Sequence, residues 1–133
     1  MEEQTLLDYD LTGDDLEFVP APADTETRVR IARTAIKTSS VGNNLQVIME
    51  LPDFPDSEDI FYTVWLPQPN DTPTELKRKK LDLRKFYQAF SIDFSGPVDY
   101  KTDLPGATGW AIVGQEEYNG ILRNKIKSFV IPK

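Results

Sequence analysis

The sequence predicts a mainly β domain of five strands and one α-helix, preceded by an acidic arm. Three observations carry this prediction: strand-like patterns in five segments, a helix start signal with an apolar repeat in a sixth, and a concentration of acids at the N-terminus. The length of 133 residues suits a single domain with its own core. We therefore expect one folded unit with the helix between the third and fourth strands.

The first three predicted strands precede the helix. Residues 27–37 are rich in β-branched side chains, and a turn containing Gly42 connects them to a second strand over residues 45–51. Residues 60–66 are dense in aromatic side chains and end at Pro67, which predicts a third strand. The first two strands therefore form a predicted hairpin.

The helix is predicted over residues 73–90. Thr72 is a candidate N-cap, Pro73 takes the first helical position, and Glu75 completes a capping box. Apolar residues at helical spacing form the predicted core face: Leu76, Leu83, Phe86, Tyr87 and Phe90. Basic residues cover much of the remaining surface: Lys77, Arg78, Lys79, Lys80, Arg84 and Lys85.

The C-terminal segment predicts a second hairpin. A fourth strand over residues 106–117 and a fifth over residues 121–131 flank Asn119-Gly120, a strong hairpin turn signal. Strict alternation in the fifth strand places Arg123, Lys125, Lys127 and Phe129 on one face and Leu122, Ile126 and Val130 on the other. A five-stranded sheet with one helix between strands 3 and 4 is the arrangement of an OB-fold barrel, which is the predicted fold.

The absence of cysteine and histidine excludes most catalytic chemistry. Without these residues there is no disulfide framework, thiolate zinc site, imidazole base or Ser-His-Asp triad. No Gly-rich phosphate loop occurs, and the acidic groups at residues 56–59 and 116–117 suit solvated turns. We therefore expect no enzyme, no cofactor and no metal; a carboxylate–Mg²⁺ nuclease is the least favoured alternative.

The charge is divided unevenly between two parts of the chain. Residues 1–26 hold nine of the 22 acids and no Lys or Arg, so this predicted flexible arm carries a charge of −9. Residues 27–133 hold the other 13 acids and all 15 bases, which leaves them at +2 although the whole chain is at −7. The net charge of −7 therefore does not exclude nucleic acid as a partner of the predicted OB-fold domain over residues 27–133.

The sequence also predicts where the protein acts. No segment approaches the 18 or more apolar residues of a membrane span, and the N-terminus has acids where a signal peptide has bases. We expect a soluble protein of the cytoplasm, with no membrane partner.

Basic residues interleaved with aromatic ones point to single-stranded DNA as the partner. Cations neutralise phosphates, and flat side chains stack on unpaired bases. The candidate residues are Arg28, Arg30, Tyr62, Trp65, Trp110, Tyr118, Arg123, Lys125, Lys127 and Phe129. The alternative, purely structural explanations are that these aromatic residues belong to the core and that the basic strand face is only an exposed sheet surface.

The acidic arm has two alternative roles. It can lie along the binding surface as a phosphate mimic that DNA displaces, or it can recruit a protein partner. The second role defines an alternative function, a protein-interaction module. The basic helix surface is either a second phosphate-binding surface or a partner for the arm, and a homo-oligomer is left open.

The order of motifs resembles a known protein family. A basic stretch leads into the Leu/Phe-rich residues 83–92, and an apolar strand then leads to a Tyr-x-Gly turn and an Asn-x-Ile step: Gly106, Tyr118, Gly120, Asn124 and Ile126. Residues 17–133 thereby resemble small bacteriophage and prophage proteins known by a domain-of-unknown-function label, although the family's Gly and Tyr are missing over residues 23–27. The resemblance implies an OB-fold single-stranded DNA-binding protein of phage DNA replication and recombination, with Tyr118, Arg123, Lys125 and Lys127 on the DNA side. For a phage protein the expected location is the host cytoplasm, and the partner that the arm can recruit is a replication, recombination or host protein.

Overall fold

The computed structural model describes residues 5–13 and 16–132. The elements are β1 (Thr25–Ser39), β2 (Gly42–Glu50), β3 (Ile60–Trp65), α1 (Pro73–Ala89), β4 (Thr108–Tyr118) and β5 (Ile121–Val130). The predicted count and order of strands, with one helix between the third and fourth, are confirmed. Of the predicted acidic arm, Glu2, Glu3, Asp14 and Asp15 lie outside the described residues.

The five strands form one antiparallel sheet in the order β3-β2-β1-β4-β5. Within the described part of the chain no strand pairing joins β3 to β5, so the sheet is not closed into a barrel. The ring of Tyr62 in β3 meets that of Phe129 in β5 edge to face, with centroids 5.1 Å apart. The edge strands β3 and β5 therefore contact each other through side chains, and not through the backbone hydrogen bonds that would close a barrel.

The central strand β1 contains a β-bulge that changes which residues face outward. Ile31 pairs with Met49, but Arg33 pairs with Ile48, so Ala32 is an extra residue on β1. Strict alternation would place the two basic residues of β1 after the bulge on the face opposite to the two before it. Because of the bulge, the basic residues of β1 share the outward face: Arg28, Arg30, Arg33 and Lys37.

A second bulge lies in β5. Ser128 pairs with Ile112 whereas Ile126 pairs with Val113, so Lys127 is the extra residue. Residues beyond the bulge exchange faces relative to strict alternation. The predicted assignment of Phe129 and Val130 to faces is therefore wrong, because it assumed an uninterrupted strand.

The helix begins as predicted. The Thr72 hydroxyl accepts a hydrogen bond from the Glu75 backbone N–H, and the Glu75 carboxylate accepts one from the Thr72 backbone N–H, both at 3.2 Å. Phe86, Ala89 and Phe90 are buried against the sheet, where Gly109 of β4 allows the helix end to approach. The predicted core face is too wide, because its other members are only half-buried: Leu76, Leu83 and Tyr87.

The described arm is joined to the domain close to the start of β1. The Val19 N–H donates to the Asp56 carbonyl at 2.9 Å, and the Ala21 N–H donates to the Asn124 side-chain oxygen at 2.8 Å. Ala21 is buried, and its carbonyl accepts from Asn124 and from Gln115. Residues 19–21 thus pack between the β2–β3 loop and the β4–β5 hairpin, although they lie inside the predicted arm.

Candidate nucleic-acid interface

The outward face of β3 carries two large exposed aromatic side chains. Buried residues of β3 alternate with outward ones, so Phe61 and Trp65 turn away from the core together. Phe61 is 73% exposed and Trp65 is 44% exposed. Exposed apolar surface of this size is unfavourable in water, and large exposed apolar patches commonly mark binding sites.

Strand register places a cation in the same row as each of these aromatic side chains. Ile48 of β2 pairs with both Phe61 and Arg33. Asn44 of β2 likewise pairs with both Trp65 and Lys37. The backbone of each cationic residue is therefore two strands away from that of its aromatic residue, a distance of roughly 10 Å at the usual strand spacing. We call these four residues the aromatic–cation rows: Phe61, Trp65, Arg33 and Lys37.

A third exposed aromatic side chain lies on the other side of β1. Trp110 of β4 is 47% exposed and pairs with Arg28 on the outward face. Arg28 donates two hydrogen bonds to Asp53, at 2.9 and 3.3 Å, and these lower the pKa of Asp53. Arg30 forms an ion pair with Glu50. The positive charge next to Trp110 is therefore largely compensated.

The β4–β5 hairpin holds the remaining predicted cations. The guanidinium of Arg123 lies 3.8 Å from Glu58 and 5.9 Å from the centre of the Tyr118 ring. Lys127, on the bulge, donates to Asp24 at 2.6 Å. Lys125 is exposed, and among the described residues no carboxylate pairs with it.

The hairpin itself forms as predicted from Asn119-Gly120. Both turn residues have positive φ angles, 52° at Asn119 and 77° at Gly120, as a two-residue type I′ turn requires. The turn holds the two strands in register, so Tyr118 and Arg123 project from the same end of the sheet.

Phe129 packs in an aromatic cluster instead of joining the basic face. The β5 bulge turns it inward, where its ring centre lies 5.8 Å from Phe90 and 6.0 Å from Phe86. It is half-buried and does not share a face with Lys125. The prediction that Phe129 lies with the basic residues of β5 is therefore wrong.

Tyr62 also points toward the core side of the sheet. Alternation along β3 places it on the face opposite to Trp65. Burial raises the pKa of its hydroxyl, and the charge of Asp82 adds to this effect. Tyr62 and Phe129 line a cleft of about 320 Å³ together with Lys85, at the open edge between β3 and β5. Tyr62 is therefore not part of the outward face.

The structure thus brings together only part of the predicted site. Arg28, Arg30, Trp65 and Trp110 share the outward face. The predicted set omitted three outward residues: Phe61, Arg33 and Lys37. The four-residue spacing of each pair, 61/65 and 33/37, was the available signal, but linking the pairs required the register of β1, β2 and β3.

The exposed ion pairs leave the cations available for exchange. The four pairs on the sheet and hairpin join side chains that are each about 40–65% exposed. Such surface pairs are worth about 0–1 kcal/mol, because solvent screens the charges. A phosphate group can therefore displace the carboxylates at little cost, whereas Arg33 and Lys37 have no carboxylate partner to lose among the described residues.

Metal-binding groups and membrane-spanning helices are two other features that often indicate a function. The described residues contain no group of three or more acidic side chains that could hold a metal ion. No helix in residues 5–13 and 16–132 is long and apolar enough to cross a membrane. The chain matches no protein-family model and no curated protein. The outward face and its charges are therefore the features that bear on function.

Proposed function

We propose that this protein binds single-stranded DNA on the outward face of its sheet. One observation carries the proposal: Phe61 and Trp65 are exposed side by side on β3, and Arg33 and Lys37 lie in the same rows. A strand of DNA needs both groups, since its phosphates require cations and its unpaired bases require flat apolar surfaces. Trp110, beyond β1, extends the aromatic surface.

Binding of this kind involves no chemical step. Arg33 and Lys37 hold phosphates, while Phe61 and Trp65 stack on bases, each base contributing about 1–3 kcal/mol. Every base has a flat face, so we expect little sequence preference. The role needs neither a catalytic group nor a cofactor.

The fold supports the same proposal. Five strands with a helix between the third and fourth, and two edges that approach without closing, suit an OB-fold, which is a partly open barrel. OB-folds bind oligonucleotides on the face of strands 2 and 3 and with the loops between strands 1–2 and 4–5. Here that face carries Phe61 and Trp65. The resemblance to phage and prophage proteins adds a role in DNA replication and recombination.

Intrinsic fluorescence tests the proposal directly. The chain contains two tryptophans, Trp65 and Trp110, and both lie on the outward face. Titration with oligo-dT is expected to quench their emission, and the affinity is expected to fall as salt rises because counterions are released. An unquenched spectrum at low salt, with no change in the mobility of labelled oligo-dT, would contradict the proposal.

A protein-interaction module is the second candidate, and the arm supports it. Leu7, Tyr9 and Leu11 are 67–80% exposed, which is more apolar surface than a solubilising tag needs. In this alternative the arm mimics nucleic acid and inhibits or recruits a replication or host protein. It predicts that the protein fails to bind oligo-dT at low salt, with or without the arm.

Removal of the arm separates its two proposed roles. The deletion should end at residue 13, because residues 19–21 are hydrogen-bonded to the domain and Ala21 is buried. If the arm competes with DNA, the shortened protein binds oligo-dT more tightly at low salt and equally at high salt. Equal affinity at both salts, with loss of a co-purifying protein, would assign the arm to recruitment.

A further inference from the structure

A groove beside α1 lies apart from the outward face of the sheet. It has a volume of about 770 Å³ and runs between α1 and residues 94–98. Its floor is apolar and consists of Leu76, Leu83, Tyr87, Phe94 and Val98. The rings of Tyr87 and Phe94 stack with centroids 6.1 Å apart, so the loop and the helix form one continuous surface.

The rim of this groove is positively charged. Lys77, Lys80 and Arg84 line it from successive turns of α1, and all three are exposed. Within the described part of the chain no carboxylate forms an ion pair with any of them, whereas Lys79 is paired with Asp71. The groove therefore fits a ligand that is both apolar and acidic.

The N-terminal arm has this combination of side chains. Leu7, Tyr9 and Leu11 alternate with Asp8 and Asp10, so an extended segment presents three apolar side chains on one side and two carboxylates on the other. Hydrogen bonds from the hydroxyl and backbone N–H of Thr12 lower the pKa of Asp10, and both carboxylates of the segment are charged near neutral pH, as exposed aspartates are.

The dimensions of the segment and the groove also agree. Residues 7–11 span about 13 Å when extended, at about 3.3 Å per residue. Leu76 and Tyr87 are eleven residues apart on α1, which corresponds to about 16 Å along the helix axis. The three apolar side chains of the segment can therefore all contact the floor of the groove at once.

We infer that the groove beside α1 binds residues 7–11 of a second copy of this chain. Leu7, Tyr9 and Leu11 are all exposed in the structure, which shows that the segment does not occupy the groove of its own chain. Residues 19–21 hold the base of the arm against the β2–β3 loop and the β4–β5 hairpin. Exchange of arms between two copies fills both grooves and buries both apolar segments, as in a domain-swapped dimer. This inference does not rest on DNA binding.

Sedimentation of the full-length protein at several concentrations tests the inference. We expect a dimer that dissociates on dilution and at high salt, because the contact includes screened charges. Lys80→Glu combined with Arg84→Glu should weaken the dimer about tenfold, since attraction at two sites becomes repulsion. The matched control reverses Arg78 and Lys85, which are exposed on the same helix but do not line the groove. It should sediment as the wild type.

Charge reversal on both sides provides a rescue. By itself, Asp8→Lys combined with Asp10→Lys should weaken the dimer. The same two changes should restore the dimer in a protein in which Lys80 and Arg84 are both changed to Glu. Mixing an arm variant with a groove variant should give a heterodimer, because one intact arm then meets one intact groove.

Several outcomes overturn the inference. A protein that stays monomeric at every concentration, or a dimer that is unchanged by the groove variant, excludes arm exchange. Crosslinking of the arm to the groove within one monomer would assign the contact to the same chain. A groove variant that loses affinity for oligo-dT but keeps the dimer would make α1 a phosphate-binding surface.

Discussion

Truncation of the β3 aromatic side chains should weaken DNA binding by an amount that follows from their exposure. A tryptophan presents about 250 Å² and a phenylalanine about 200 Å², so Trp65 at 44% exposure offers about 110 Å² and Phe61 at 73% about 150 Å². A base that covers half of each area removes about 55 and 75 Å² from water, worth about 1.4 and 1.9 kcal/mol. Trp65→Ala should therefore weaken binding about tenfold and Phe61→Ala about twentyfold.

The assay is anisotropy of labelled oligo-dT at fixed salt, with each variant titrated over the full binding curve. Trp65→Phe keeps a ring and should recover most of the affinity. Wild-type affinity in both alanine variants, or a Trp65→Phe variant that binds as weakly as Trp65→Ala, would refute stacking on β3.

Three further predictions concern stability and are measured by urea unfolding. Gly109→Ala should cost about 3 kcal/mol, because its Cβ would lie 2.3 Å from a backbone carbonyl of α1, whereas Gly96→Ala meets nothing within 4 Å and should be nearly neutral. Thr72→Ala should cost about 1 kcal/mol through loss of the capping box, and an unchanged stability would contradict that role. Lys79 donates a hydrogen bond to Asp71 and lowers the pKa of this carboxylate below its ordinary value of 3.8. The charged carboxylate therefore stabilises the fold above pH 3.8, and this stabilisation is lost as the pH falls through the lowered pKa. Asp71→Asn should therefore lower the free energy of unfolding at neutral pH, whereas variant and wild type should have similar stability at about pH 2. A difference in stability that persists in acid would have another cause.

Local sequence signals predicted the elements whose structure depends on neighbouring residues. The capping box at Thr72 and Glu75 needs only a residue and its third neighbour, and it defines the start of α1. The turn at Asn119-Gly120 needs two residues that tolerate positive φ, and it defines the second hairpin. In both cases the physical cause lies within four residues of the chain.

The candidate site depended on pairings that no local signal shows. The bulge at Ala32 brings Arg33 and Lys37 to the face of Arg28, and the bulge at Lys127 turns Phe129 inward. A bulge sets two residues of one strand against one residue of its partner, so its position is a property of the pair of strands. An alternation argument from one strand therefore assigns the wrong face to every residue beyond the bulge.

Under the proposed function, the distribution of charge on the outward face favours one end of the sheet for the first contact with DNA. Near Trp110 the cations Arg28 and Arg30 are paired with carboxylates, whereas in the aromatic–cation rows Arg33 and Lys37 have no such partner among the described residues. A phosphate that approaches the rows meets uncompensated charge beside exposed rings, and it displaces nothing. Extension of the strand toward Trp110 then requires exchange of surface ion pairs, each worth about 0–1 kcal/mol. The net charge of −7 describes neither end, because residues 1–26 carry −9 and the remaining residues, which include the proposed DNA contacts, carry +2.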